Sequence, residues 1–157
     1  MTIILGVDPG SKITGYGLIK NYHNKITYVS STSIILNKYI FNERLKNIYS
    51  YTKNIISEFN PKIFVIEKVF FYKNASSALK LGQASCAAIL AAINLNILIF
   101  EYTASKIKKI ISGNGRSKKL KIKNRICKIL DLSHNDINID ESDALAAAIT
   151  HYFIYIK

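Results

Sequence analysis

Ile3-Ile4-Leu5-Gly6-Val7-Asp8-Pro9-Gly10 joins an apolar run to a carboxylate followed by two turn formers. The Ile, Leu and Val residues read as a strand covered on both faces. Pro9-Gly10 stops it, so Asp8 stands at the end of a buried strand. Ile13-Thr14-Gly15-Tyr16-Gly17-Leu18-Ile19 again has strand character, and its glycines leave room for something to approach the backbone closely. The two segments form a hairpin with an acid at its rim. A lone Asp-Pro-Gly is most simply an Asp that opens the turn through its own backbone hydrogen bonds. A catalytic role for Asp8 requires partner acids elsewhere.

Outward from this hairpin, Ile26 to Leu36 is a third strand-like segment, with Asn21-Tyr22-His23-Asn24 as the turn before it. Short links make the three an antiparallel meander. Leu45, Ile48, Tyr49, Thr52, Ile55, Ile56 and Phe59 recur at helical spacing until Asn60-Pro61. Lys62 to Glu67 is then a short apolar strand that, like the first, delivers a carboxylate at its C-terminal end. A helix from Ser76 to Asn94 follows, rich in small residues, then a strand from Ile97 to Glu101. Helices near Ala104 to Ile111, Ser117 to Leu130 and Asp140 to Ile156 complete the chain. The order predicts a single α/β domain over 1–157 with a mixed five-stranded sheet flanked by helices. The helix after the meander allows a right-handed crossover that sets the Glu67 strand parallel to and beside the first. Asp8 and Glu67 then share one edge.

With 157 residues the chain suits one domain, and 49% apolar content argues against disorder. A formal charge of +12 points to an anionic partner, nucleic acid first. The richness in Ile, Asn, Lys and Tyr also resembles genomic base-composition bias, which would inflate lysine. Cys86 and Cys127 lack metal-ligand spacing and are expected to be buried free thiols of a reducing compartment. The N-terminus shows no secretory pattern, and the most apolar helical stretch, Ala84 to Ile93, falls short of the roughly 18 residues that span a bilayer. A cytoplasmic location is the expectation.

Asp140 and Asp143 are three apart, which on a helix places both on one face and Glu141 elsewhere. Like charges at that spacing repel by a few tenths of a kcal/mol, partly offset at a helix N-terminus. A bound cation would remove the conflict. Asp140 or Ser142 could equally serve only as a helix cap. Two strand-end and two helix carboxylates, Asp8, Glu67, Asp140 and Asp143, make an all-oxygen set suited to Mg²⁺ or Mn²⁺ rather than zinc. Two such ions activate water and stabilise a leaving oxygen, which in a basic protein implies phosphodiester hydrolysis.

Ile4 to Gly10 with Thr14 to Gly17, Ile66-Glu67 with Val69-Phe70 and Lys73-Asn74, Ser77 to Ala84, and Asp140 with Asp143 to His151 together resemble the RuvC family of bacterial crossover junction endodeoxyribonucleases. The match runs in order over essentially the whole chain, and Ser77-Ala78-Leu79-Lys80-Leu81-Gly82-Gln83 is its most distinctive block. The resemblance implies a ribonuclease H-like fold, a homodimer, and Mg²⁺-dependent cutting of two opposed strands of a four-way (Holliday) DNA junction in recombination and repair, leaving 5′-phosphate ends. It implies Asp8, Glu67, Asp140 and Asp143 as catalytic ligands of two Mg²⁺, with Mn²⁺ as a substitute, and a branch-migration complex of RuvA and RuvB as partner. It also marks Lys108 and Lys119 as basic positions for cleavage and Phe70 as the aromatic the family uses. With these acids around it, Asp8 becomes the central ligand, and Gly10 and Gly15 are expected to give clearance for a DNA backbone.

A C2 dimer suits the near two-fold symmetry of a four-way junction. The small-residue helix from Ser76 to Asn94 fits its interface and fits ordinary packing on the sheet equally well. Ten of the 22 basic residues fall between Lys106 and Lys128, where no acid occurs. Their place just before the acidic pair favours phosphate contact over a solvated face, with Arg116, Lys118 and Lys73 as further DNA-binding candidates. Phe70, Phe71 and Tyr72 cannot all face inward on a strand, so at least one is available to stack on an unpaired base. His151, about 12 Å along a helix from Asp143, is read as structural. His23 and His134 sit in loops without evident partners.

Ser85 and Cys86 depart from the Arg-Gly that familiar members carry, which suggests one missing basic contact. Glu141 is an extra acid that either perturbs the site or strengthens the helix start. Of the rival readings, an actin-like ATPase needs two related domains, and a non-cleaving binder gains nothing from four acids facing phosphates. A small ribonuclease H-like RNA-processing protein is disfavoured by the Ser77 to Ala84 block.

Overall fold

A computed structural model describes residues 1–70 and 74–156. Strands β1 (Thr2–Asp8), β2 (Ile13–Tyr22) and β3 (Lys25–Ile35) form the expected meander. Helix α1 (Phe41–Phe59) leads to β4 (Ile63–Glu67), α2 (Ala75–Asn94) to β5 (Leu98–Tyr102), and α3 (Ala104–Ser112), α4 (Lys119–Leu130) and α5 (Ile139–Tyr155) close the chain. The sheet order is β3-β2-β1-β4-β5. β1 runs antiparallel to β2 and parallel to β4, and β4 runs parallel to β5.

The β2–β3 turn is tighter than the sequence suggests. Tyr22 pairs with Lys25, leaving only His23 and Asn24, both at positive φ (48° and 57°). Positive φ at both central residues is the hairpin turn whose twist matches that of the strands; Asn suits it well and His less so. The ring of His23 packs edge-on against Tyr22, 4.1 Å between centroids. α1 ends where Asn60 takes the left-handed conformation (φ 46°) and its N–H closes on Ile56 before Pro61.

Each face of the sheet carries its own core. On one, Leu5, Val7, Tyr16, Leu18, Phe64 and Ile66 pack against α1 and the alanines of α2. On the other, Ile4, Ile19 and Val65 meet α3, α4 and α5. A continuous buried run from Ala144 to Tyr152 embeds α5. It can lie so close to the sheet because Gly6, Gly15 and Gly17 present no Cβ to it. A Cβ on Gly6 would stand 2.0 Å from the Ala144 carbonyl oxygen, and one on Gly17 2.6 Å from Leu145 Cγ. The close approach expected at these glycines is thus met by α5. Gly10 is closed off within its own turn, where an added Cβ would meet the Ile13 carbonyl oxygen at 2.0 Å. The glycine clearance expected for DNA is, at Gly10 and Gly15, occupied by the protein itself.

α2 divides differently. Its small residues Ala84, Ser85, Ala87, Ala88, Ala91 and Ala92 are the buried ones. Leu79 (61% exposed), Leu90 (47%) and Ile93 (52%) remain uncovered. At 20 residues the helix is long and apolar enough by length and composition to cross a membrane, which corrects the shorter stretch read from sequence. Its alanine face is nonetheless packed in the core of this fold.

Candidate active site

The parallel pairing of Val7 with Ile66 sends Asp8 and Glu67 off the same sheet edge on neighbouring strands. The third and fourth acids come from the start of α5. Its N-cap is Asn138, whose Oδ1 accepts the Glu141 N–H at 2.9 Å, so neither Asp140 nor Ser142 is the cap. Glu141 reaches back to accept from Asn138 Nδ2 at 2.8 Å and from Ser31 Oγ at 2.9 Å. It strengthens the helix start and leaves Asp140 and Asp143 to face the strand ends. Asp8 pairs across the meander with Gly15, and a Cβ on Gly15 would lie 2.2 Å from the Asp140 carbonyl oxygen. The missing side chain of Gly15 is therefore what seats Asp140 beside Asp8. The sequence showed a glycine with room around it, but not that α5 fills the room.

Asp8, Glu67 and Asp143 line a cavity of about 80 Å³ together with Lys108 and Lys119. Lys119 Nζ binds Asp143 Oδ2 at 2.6 Å. Burial, then the nearby charges of Asp143, Glu67 and Asp140, push the Asp8 carboxyl up to about 8, against a smaller opposing pull from Lys119. Burial, then the charge of Asp143, also raises Glu67 from its ordinary value. Asp143 is raised by burial despite its bond to Lys119. Burial by itself would lower Lys119, yet the hydrogen bond and charge of Asp143, with Asp8 and Asp140, carry it upward.

Among the described residues no three His, Cys, Asp or Glu side chains are drawn together closely enough to form a ready metal cage. The positive charges among the acids are the ammonium groups of Lys119, bonded to Asp143, and Lys108. The donor chemistry nonetheless fits a hard divalent cation. Every side-chain donor is a carboxylate oxygen, the ligand type that Mg²⁺ and Mn²⁺ prefer, and burial first, then the neighbouring acids, disfavours the charged form of Asp8.

A larger cleft of about 290 Å³ opens beside this cavity and runs from Asp8 and Glu67 past Thr103 and Ser105 to Phe70. Phe70 is 55% exposed there. Lys108 is half-buried and Lys119 more exposed in the lining of the acid cavity, and Arg116 and Lys118 are exposed in the α3–α4 connection. Lys12 is exposed. Lys73, Phe71 and Tyr72 lie outside the described residues. The Lys119–Asp143 pair joins two residues that sequence analysis had assigned to separate roles, and the cleft wall at Thr103 and Ser105 carried no recognisable signal.

Several smaller expectations are settled at the same time. His151 is buried, with Nδ1 2.9 Å from the Tyr102 hydroxyl, and is structural as expected. His134 does have a partner, Asn124 Oδ1 at 2.6 Å. Cys127 is buried, but Cys86 is exposed, because it lies on the uncovered side of α2. Ser85 is buried, so the departure at that position falls on the packed side of the helix.

The model of the family described as crossover junction endodeoxyribonuclease RuvC matches residues 4–151. A crossover junction endodeoxyribonuclease RuvC of Wigglesworthia glossinidia brevipalpis is 61% identical over 154 residues, covering 98% of this chain and 95% of its own. One from Haemophilus ducreyi is 46% identical, covering 96% and 78%. Among solved structures, Thermus thermophilus RuvC in complex with Holliday junction substrate superposes with a TM-score of 0.88 at 25% identity, covering 98% of this chain and 94% of that one. The Fowlpox virus resolvase shares the fold, with a TM-score of 0.64 at 18% identity.

Proposed function

Because the chain belongs to the RuvC family of crossover junction endodeoxyribonucleases, we propose that it resolves four-way DNA junctions by paired phosphodiester hydrolysis, with Asp8, Glu67, Asp140 and Asp143 holding two Mg²⁺ in each active site. The observation that carries this reading is the convergence of acids on Asp8, whose carboxyl is driven to about 8 by burial and by the other three. When bound, Mg²⁺, or Mn²⁺ in its place, would lower the pKa of a water and offset charge building on the phosphate. The protein supplies the geometry. β1 and β4 mount Asp8 and Glu67 rigidly, and α5 brings Asp140 and Asp143 against them.

Lys119, bonded to Asp143 and partly exposed, would meet the scissile phosphate at the acid cavity. Lys108, which lines the same cavity, meets it as well. Phe70, exposed along the cleft, stacks on a base unpaired at the crossover. Arg116, Lys118 and Lys73 are further candidates for phosphate contact.

Two sites require two chains. Leu79, Gly82, Gln83, Cys86, Leu90 and Ile93 follow helical spacing along one side of α2, spanning about 21 Å. The three large apolar members of this row are exposed. A second copy docking its own α2 there forms a self-complementary C2 interface that presents two clefts to the two-fold junction. The reading includes a single domain working in the cytoplasm with a branch-migration complex of RuvA and RuvB.

The test is incubation with a synthetic mobile four-way junction, with and without Mg²⁺, beside Asp8→Asn. Paired nicks with 5′-phosphate ends are expected only with metal, and Asp8→Asn is expected to lower the rate by about 10³-fold, corresponding to roughly 4 kcal/mol of lost transition-state stabilisation. Its Tm should hold or rise, because the neutral amide lifts the repulsion. Cleavage that persists in EDTA, or with Asp8→Asn, breaks the metal mechanism.

A further inference from the structure

The basic residues of α4 do not all serve the acid cavity. At 100° per residue, Lys119 points one way, with the buried Lys123 within about 40° of it, whereas Lys121, Arg125 and Lys128 cluster on the opposite side of the helix. All three are exposed. With Ser112 and Asn124 they line a separate surface depression of about 370 Å³ that includes none of the acids. Among the described residues none of the three makes an ion pair.

This row is electrostatically expensive as it stands. Arg125 lies four residues from Lys121 and three from Lys128, and like charges at both spacings destabilise a helix by a few tenths of a kcal/mol each. Lys119 and Lys121 also occupy the first turn, the end that disfavours cations, and that turn has no acid to offset them. From Lys121 to Lys128 the row extends about 10 Å along the axis, close to three 3.4 Å steps of one DNA strand.

We propose that the outer face of α4, through Lys121, Arg125 and Lys128, is a second DNA-contact surface. It grips the phosphate backbone of a junction arm away from the cleavage point and supplies affinity without taking part in the chemistry. The proposal rests on the nucleic-acid reading above and extends it to a surface facing away from the cleft. A polyanionic strand is the occupant this row fits best: three unpaired cations, evenly spread, with no apolar patch among them. Base edges are not read there, so the contact is independent of sequence.

The test compares the unaltered protein with Lys121→Gln/Arg125→Gln/Lys128→Gln and with a charge-matched control, Lys46→Gln/Lys53→Gln/Lys62→Gln, whose three lysines are exposed elsewhere. Junction binding is titrated over 50–200 mM salt in EDTA, and cleavage is measured in single turnover at saturating protein. The α4 triple variant is expected to lose up to about 2.7 from the slope of log K against log salt, about 0.9 per phosphate contact. Its cleavage rate at saturation should stay within about twofold. An equal loss of slope in the control reduces the effect to bulk charge and overturns the proposal. An unchanged slope in the α4 variant also overturns it, leaving an acidic protein partner as the remaining use of the surface. Failure of the unaltered protein to cleave would instead break the reading of the cleft, since the binding slopes are measured without cleavage.

Discussion

Helices α2 and α5 are both long, apolar and rich in alanine, yet the fold treats them in opposite ways. α5 is sunk into the sheet over nearly its whole length, in a trough made by Gly6 and Gly17, and at its first turn Gly15 lets Asp140 reach Asp8. α2 buries only its alanine side and leaves a row of large apolar residues in the open. Composition shows that a helix needs cover but not what covers it. For α5 the cover is intramolecular, and the site depends on how closely it fits. For α2 the monomer stops short, and a second copy supplies the rest in the reading proposed above.

The sharpest way to break this comparison is Gly15→Ala. The added Cβ meets backbone, which cannot swing aside as a side chain could. The first turn of α5 must shift, carrying Asp140 with it. Overpacking of this kind costs about 1–3 kcal/mol of stability, and a misplaced ligand about 10²-fold in cleavage rate. Junction affinity in EDTA should be preserved, because the basic surfaces are not touched. Cleavage at the normal rate would show that α5 is not held by this contact. The next effect belongs to α2. Leu90→Ser with Ile93→Ser should weaken the dimer by tenfold or more, seen by analytical ultracentrifugation, while the Tm of the monomer barely moves, since both side chains are about half exposed. A dimer that survives this pair is built on another face.

The difference between the two helices also explains what was legible beforehand. The mixed sheet, the parallel strands delivering Asp8 and Glu67, and Asp140 and Asp143 on one helical face all follow from local patterns: apolar runs, helical spacing and turn residues. Tertiary complementarity does not. Nothing local says that the space at Gly15 belongs to Asp140 rather than to a ligand, or that Lys119 folds onto Asp143. The alanines of α2 look equally suited to a sheet or to a partner, and only the packed chain shows them committed to the core. Glu141 had two readings until Ser31, 110 residues away in sequence, was seen to hold it.

Glycine makes a finer test of the same contrast. On α2 an added Cβ at Gly82 meets nothing within 4 Å, and the residue is helical, so Gly82→Ala should stabilise the monomer by about 0.5–1 kcal/mol. Gly82 lies in the exposed row with Leu79 and Leu90, however, where a close helix-helix approach tolerates only small residues. A monomer that gains stability while the dimer weakens would show the partner pressing on this position. A gain in both would move the contact away from Gly82.

The smallest effect expected is on α5 itself, at His151. It is enclosed by Tyr102, Phe100 and Tyr155, with no charged side chain bonded to it among the described residues, and burial holds its pKa below the usual 6.5. The sign follows from proton counting. As pH falls below about 6.5 the unfolded chain takes up a proton that the folded protein refuses, so stability from this group is full above that value and is lost as pH falls through the lower, folded pKa. His151→Gln removes the titration and leaves an amide able to bond the Tyr102 hydroxyl. Thermal melts between pH 7.5 and 5 should therefore fall less steeply for the variant than for the unaltered protein. Because α5 carries two of the four acids, any loosening of His151 at low pH loosens the helix that mounts them. Parallel melting curves for the two proteins would mean that the imidazole is already free to protonate in the fold, and that the packing of α5 is less complete at its C-terminal end than at its start.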